Sequence, residues 1–256
     1  MTRWMLGLAC CLCLLTVPAV ADDAPPVEEP VADIVTDDLR ATLEKIATAY
    51  DSDRTLLASL GDEIAIHHHT IVAKLDPAAN ILTATSTESV TANMETRRIH
   101  FLLFHDFAVE SVAVTGPDGV AIPATFESTT LESDTLIDNF MPDKDEFIFN
   151  PMLTLSMIRD QAMRRQMVTI TLPRLTRMHE DFTVTTTYHG SVSRMHMEPF
   201  TSEAVMLPAT DFWFPDVLGP LSTCDVTITL PEAWHAFAPG KLLSDTVAGT
   251  YRTMHY

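Results

Sequence analysis

Three consecutive histidines, His67-His68-His69, are the densest group of potential metal ligands in this 256-residue chain. Side chains alternate along a β-strand, so His67 and His69 are expected on one face, close enough to share an ion. A structural metal site takes about four ligands, and no further ones stand nearby in sequence. The expectation is therefore no metal site in the chain, with His67 and His69 as the candidate pair. Met195-His196-Met197, together with Met163 and Met167, offers soft ligands suited to copper(I). Methionines at helical spacing more often fill gaps in a core. Cys224 would need a neighbouring base and exposure to act as a nucleophile; it precedes a strand whose pattern is buried, so it reads as a small apolar residue. Phe212-Trp213-Phe214 could form a platform for a carbohydrate or a peptide. Alternating in a strand, Trp213 would face one way and the two phenylalanines the other. There is no Gly-x-Ser-x-Gly elbow and no glycine-rich phosphate loop, and the chain has only eight glycines. No catalytic residue is assigned.

The elements that would position these residues are embedded in an acidic, globular composition. The formal net charge is -19, with 46% hydrophobic and 20% charged residues. That balance excludes disorder, collagen and coiled coil. It also disfavours nucleic acids and anionic membranes as partners, because both require a basic face. The chain opens with one charge, Arg3, then an apolar run from Trp4 to about Val17, then Ala19-Val20-Ala21 before Asp22-Asp23. This reads as a secretory signal peptide over residues 1–21, cleaved after Ala21. Export to the periplasm or the extracellular space is expected, and cleavage would leave Cys224 as the sole cysteine. Residues 22–36 carry Pro25, Pro26, Pro30 and several acids, and read as an extended linker.

Leu39, Leu43, Ile46, Tyr50 and Leu57 form one helical stripe, which predicts a helix within 37–61, stopped by Gly61, with Asp51-Ser52-Asp53 as a candidate break. That acidic triplet has Leu56 where a calcium loop needs glycine. From Glu63 the texture becomes β. Ile64–Leu75 and Leu82–Thr91 read as a hairpin across Asp76-Pro77-Ala78-Ala79-Asn80. Further strands are expected at Ile99–Phe104, Ala108–Val114, Val120–Phe126, Phe147–Phe149, Val168–Leu172, Phe182–Tyr188, Glu203–Leu207, Val226–Leu230 and Thr246–Tyr251. Leu155–Met167 has good helix formers and no breaker, and predicts a small helical insertion. Many short strands without alternating helices predict an all-β domain over 62–256, a β-sandwich or saddle of open sheets.

The order of these segments resembles the N-terminal domain of the aminopeptidase N family of zinc metallopeptidases. The parts that carry the resemblance are the His67–Leu75 strand, the Asp76-Pro77 turn and the Leu82–Val90 return. They continue with the strand ending in Tyr188-His189-Gly190, the Asp211-Phe-Trp-Phe-Pro215 step, and Cys224–Leu243 with its Pro231, Trp234 and Gly240-Lys241-Leu242. The resemblance implies a saddle-shaped β-sandwich that walls one side of a thermolysin-like active site. It also implies a zinc-binding His-Glu-x-x-His motif and a Gly-x-Met-Glu-Asn motif in a catalytic domain, expected to follow Tyr256. Neither occurs in this sequence: His179-Glu180 is the sole His-Glu pair, and Thr183 stands where the second histidine is required. The family's substrate-facing residue of this domain would fall near Glu198 or Glu203, though the motif that follows it is unmatched. Glu198, Glu203 and Trp213 are the substrate-cleft candidates.

The expected function is thus that of an exported, non-catalytic domain that shapes a peptide cleft and packs on a zinc-bearing catalytic domain. No cofactor is expected in this chain, and zinc only in that partner domain. A self-standing peptide- or protein-binding module is the alternative, and a metal carrier working through the His and Met clusters a further one.

Overall fold

A computed structural model describes residues 37–131, 165–193, 205, 207, 209–217, 219 and 221–256. Helix α1 (Asp37–Glu63) is followed by strands β1 (Ile64–Asp76), β2 (Ile81–Ala92), β3 (Arg98–Phe104), β4 (Phe107–Thr115), β5 (Ala121–Ile122) and β6 (Thr125–Thr130). Then come β7 (Arg165–Thr171), β8 (Asp181–Ser191), β9 (Thr223–Pro231), β10 (Ser244–Ala248) and β11 (Tyr251–His255). The fold is mostly β, as the sequence pattern predicts. A mixed eight-stranded sheet runs β10-β11-β9-β1-β2-β8-β4-β5, and a three-stranded sheet runs β3-β7-β6. β1 pairs antiparallel with β2 and parallel with β9, which places it centrally in the large sheet.

The alternation of apolar residues decides which face of the large sheet is inside. Leu82, Ala84 and Val90 of β2, Phe182, Val184 and Tyr188 of β8, and Phe107 and Val114 of β4 are all buried. They meet Ile99, Phe101 and Leu103 of β3 and Val168 and Ile170 of β7 in one apolar cluster. The small sheet therefore covers the inner face of the large one. The outer face carries threonines that bond across strands, Thr85 to Thr187 at 3.3 Å, Thr87 to Thr185 at 3.1 Å and Thr229 to Thr253 at 3.0 Å. β3 is buried on both faces, because Leu102 turns the other way and joins Leu57 and Leu60 of α1 with Leu131 and Phe212.

Several elements differ from the sequence reading. α1 runs unbroken through Asp51-Ser52-Asp53 and past Gly61. Its buried positions Ile46, Ala49, Asp53, Leu57 and Leu60 follow helical spacing, so Asp53 belongs to the inward stripe. Arg165, Gln166 and Met167, expected at the end of a helix, are strand: β7 pairs with β3 and β6 on either side, and those ladder bonds outweigh helix propensity. Val120–Phe126 is interrupted, since Pro123 has no N–H to give to a ladder and separates β5 from β6. The strand expected over Thr246–Tyr251 is divided between the end of β10 and the start of β11, with a turn at Gly249 (φ 63°) and Thr250 between them. The expected strand Phe147–Phe149, most of Leu155–Met167 and most of Glu203–Leu207 lie outside the described residues, as do residues 1–36.

Candidate functional site

The three histidines do not act together. Along the β1–β2 ladder Ile66 pairs with Val90 and His68 with Ser89, so His67 is an extra residue in β1. A β-bulge of this kind changes the phase of everything after it. Before it, Ile64 and Ile66 face inward; after it, His69, Ile71, Ala73 and Leu75 do. His67 points outward and bonds the Thr91 hydroxyl at 2.8 Å. His68 bonds the Thr223 hydroxyl at 2.7 Å. The expectation that His67 and His69 share a face is thereby corrected: the bulge puts them on opposite faces, with only His69 in the interior.

His69 is 1% exposed, in the layer between the two sheets. Its register partner on β2 is Glu88, 0% exposed, and its partner on β9 is Cys224. Facing it from the opposite side is Asp216. His69 Nδ1 stands 3.7 Å from Glu88 Oε1, and His69 Nε2 stands 3.7 Å from Asp216 Oδ1. Both separations exceed hydrogen-bond range. Both ring nitrogens and Glu88 Oε2 are buried without a hydrogen-bond partner, while the Ser86 hydroxyl donates to Glu88 Oε1. The Phe214 ring meets the imidazole edge-on at a centroid distance of 4.9 Å. Burial pushes the Glu88 carboxyl above its ordinary value, against the opposing pull of His69 and Ser86. Asp216 is raised for the same first reason, opposed by the Val217 N–H and by His69.

Asp216 arrives on a short segment added to the edge of the small sheet. Leu102 N–H donates to Asp216 O at 2.8 Å, Asp216 N–H to Leu102 O at 3.1 Å, and Phe104 N–H to Phe212 O at 2.8 Å. The segment is not the alternating strand expected of it. A 3-10 turn at Ala209–Asp211 and a left-handed Phe212, φ 53°, break the period. Phe212 goes to the α1 side, whereas Trp213 and Phe214 both enter the main core. Trp213 is 7% exposed, and its carbonyl accepts the Tyr188 hydroxyl at 2.9 Å. All three aromatic side chains are thus buried, Phe212 against α1 and Trp213 and Phe214 between the sheets, and they present no open platform. Glu198, Glu203, Met163 and Met195-His196-Met197 lie outside the described residues.

The two ring nitrogens of His69 point to different carboxylates, so their ligands do not converge on one ion. Among the described residues, no group of three or more His, Cys, Asp or Glu side chains could hold a metal. The arrangement is instead a line, Glu88–His69–Asp216. A neutral imidazole could donate to only one of its two carboxylates, and the cation to both. Nothing in the sequence marks it: Glu88 sits in a polar-looking Thr/Ser strand, and Asp216 lies far from both partners along the chain.

Cys224 lies inside β9 and is exposed, contrary to the buried role expected of it. Partial burial of the thiol, then the carboxylates of Asp225, Asp216 and Glu88, push it up to about 11. Cys224 is therefore expected to react with iodoacetamide at neutral pH far more slowly than an unhindered cysteine. The rate should rise steeply toward pH 11, and mass spectrometry of the labelled peptide measures it. Rapid labelling at pH 7 would show that the thiolate is already present.

This architecture defines a mostly β domain of an eight-stranded mixed sheet covered on one face by a three-stranded one. Solved structures that it resembles include M1 zinc metallopeptidases. The M1 zinc metallopeptidase from Deinococcus radiodurans superposes with a TM-score of 0.50 at 17% identity, over 77% of this chain and 41% of that one. A mutant of the same enzyme, bound to a Tyr-Ser-Ala substrate, gives 0.48 at 16% identity over the same shares. The chain thus spans less than half the length of these structures. No protein-family model matches the sequence, and no curated protein does.

Proposed function

We propose that this chain is the non-catalytic β domain of an exported zinc-aminopeptidase-like protein. It packs against a catalytic domain and forms one wall of the cleft for the peptide's N-terminal end. The likeness in fold to the M1 metallopeptidase supports this reading, as does the order of sequence segments described above. The observation that carries it is the uncovered end of the large sheet. Leu221 is 103% exposed, Phe237 91%, Leu243 56% and Val247 46%, all at or beside β9–β11. Every residue of β10 is exposed. An edge strand exposed at every residue, with large apolar side chains around it, is unusual for a surface that meets only water. A packed second domain would cover it. Zinc and the general base would belong to that domain, where the metal activates water.

The test is to capture the native protein from its source with an antibody to this domain. A polypeptide much larger than this chain, yielding tryptic peptides with a His-Glu-x-x-His sequence, is the expected result. A polypeptide of about this chain's own mass that elutes without a partner would overturn the reading in favour of a self-standing binding module.

A further inference from the structure

We propose that the Glu88–His69–Asp216 line is a pH-operated latch, which fastens the Phe212–Asp216 segment to β3 when it is loaded with protons and loosens it when they leave. The inference rests on the geometry of the segment and is independent of the proposed function.

The segment is held by the buried side chains of Phe212, Trp213 and Phe214 and by the Tyr188 hydroxyl on the Trp213 carbonyl, and its backbone attachment adds few bonds. Three backbone hydrogen bonds tie the segment to β3, through Leu102 and Phe104. Opposing them is the left-handed backbone of Phe212, a conformation that is unfavourable for an L-residue with a side chain. Docking also carries Asp216 to 3.7 Å from a buried imidazole whose two ring nitrogens have no hydrogen-bond partner and whose other side faces Glu88, and it closes Phe214 over the ring. Undocking would return Asp216, and with it His69 and Glu88, to water. The titratable groups around the line come from every neighbouring element. They are His69 on β1, Glu88 with the Ser86 hydroxyl on β2, Tyr188 on β8, Cys224 with Asp225 on β9, and Asp216 itself. On the far side of the segment the Arg165 guanidinium of β7 lies over the Phe212 ring at 5.1 Å. Arg165 keeps its charge across the whole range of interest.

The sign follows from burial. With both carboxylates ionised and the imidazole protonated, the line holds a net negative charge, with His69 and Glu88 out of water and Asp216 partly exposed. Adding one proton neutralises it, and a buried site favours the neutral state. Glu88 and Asp216 are both raised when docked. A raised group contributes its stabilisation below its ordinary value and loses it as pH rises through the docked-state value. The latch therefore tightens toward acid and loosens toward neutral and alkaline pH, opposite to the usual effect of a paired surface carboxylate. The steps belong to the line as a whole, since its members are coupled.

The experiment is hydrogen exchange on the intact protein from pH 5 to pH 8, corrected for intrinsic rates. The amides read are those of Leu102, Phe104 and Asp216, with the Thr85–Thr187 region of β2 and β8 as internal reference. Protection at the three amides is expected to fall as the pH rises across the range. The reference should stay level. Asp216→Asn, at a partly exposed position that leaves the strand pairing intact, should flatten the pH dependence while keeping the acid-side protection. Glu88→Gln should do the same from the buried end. Protection independent of pH in the wild-type protein, or an unchanged slope in Asp216→Asn, would overturn the latch.

Discussion

Tyr188→Ala is expected to lower the unfolding free energy of this domain by about 4 kcal/mol, in line with large-to-small changes of buried aromatic side chains. Tyr188 is completely buried, and its ring packs at 5.4 Å from Phe107 in the layer between the sheets. Its hydroxyl donates to the carbonyl of Trp213, which ties β8 to the segment that carries Asp216. Burial drives the phenol well above its usual value, so it stays protonated and keeps donating at any working pH. Truncation removes the ring, opens a cavity and leaves a buried carbonyl unpaired. Tyr188→Phe isolates the last of these and is expected to cost about 1 kcal/mol. Urea titration of the three proteins measures both values. A cost for Tyr188→Ala below that of Tyr188→Phe would mean that the ring is not the packing centre described here.

Two residues later, Gly190→Ala is expected to cost about 3 kcal/mol, at the upper end of what overpacking ordinarily does. A Cβ built on Gly190 would lie 2.2 Å from the carbonyl oxygen of Asp106 and 2.9 Å from the Cα of Phe107. Both obstacles are backbone, so no rotamer change relieves them. β4 and β8 would have to separate where Phe107 pairs with Gly190. The neighbouring His189 points outward and is exposed, with an ion pair to Glu110 at 2.7 Å. His189→Ala should therefore change stability by no more than about 0.5 kcal/mol. Comparable losses for both variants would place the effect outside the β4–β8 contact. Together the two positions give a physical reason for the Tyr188-x-Gly190 pattern: one residue fills the inter-sheet layer, and the other must be absent from it.

Much of the sheet architecture was legible in the residues. Leu82, Ala84 and Val90 alternate with Thr83, Thr85, Thr87, Ser89 and Thr91, so β2 could be read as a strand with one wet and one dry face. The wet face is the threonine ladder of the folded protein. Asp76-Pro77 announced a turn, and the Asp76 carboxylate accepts the N–H groups of Ala78 and Ala79 there. Gly116-Pro-Asp-Gly119 is composed of turn residues too, and its turn is closed by Gly119 N–H onto Gly116 O. The stripe through Ile46 and Leu57 likewise predicted α1. These features depend on periodicity and local turn chemistry, which a single stretch of chain carries by itself.

The candidate site was not legible in the same way. A cluster of histidines suggested chemistry shared between His67 and His69, and one bulge separated them. A bulge leaves no mark in composition, because it records how two strands settle into register and not what either contains. Glu88 looked like an ordinary polar residue of a Thr/Ser strand until pairing placed it beside His69. Asp216 reached the same point only because a broken, non-alternating segment adds to the edge of β3. Arg165–Met167 had helix formers but became a strand once two partners were available to it. Most strands, the tight turns and the apolar faces were readable from the residues, since those follow from side-chain period and backbone preference. The tertiary structure alone decided which charged groups share the interior. Their meeting depends on register and on long-range pairing, and those free energies belong to the assembled sheets and to no segment on its own.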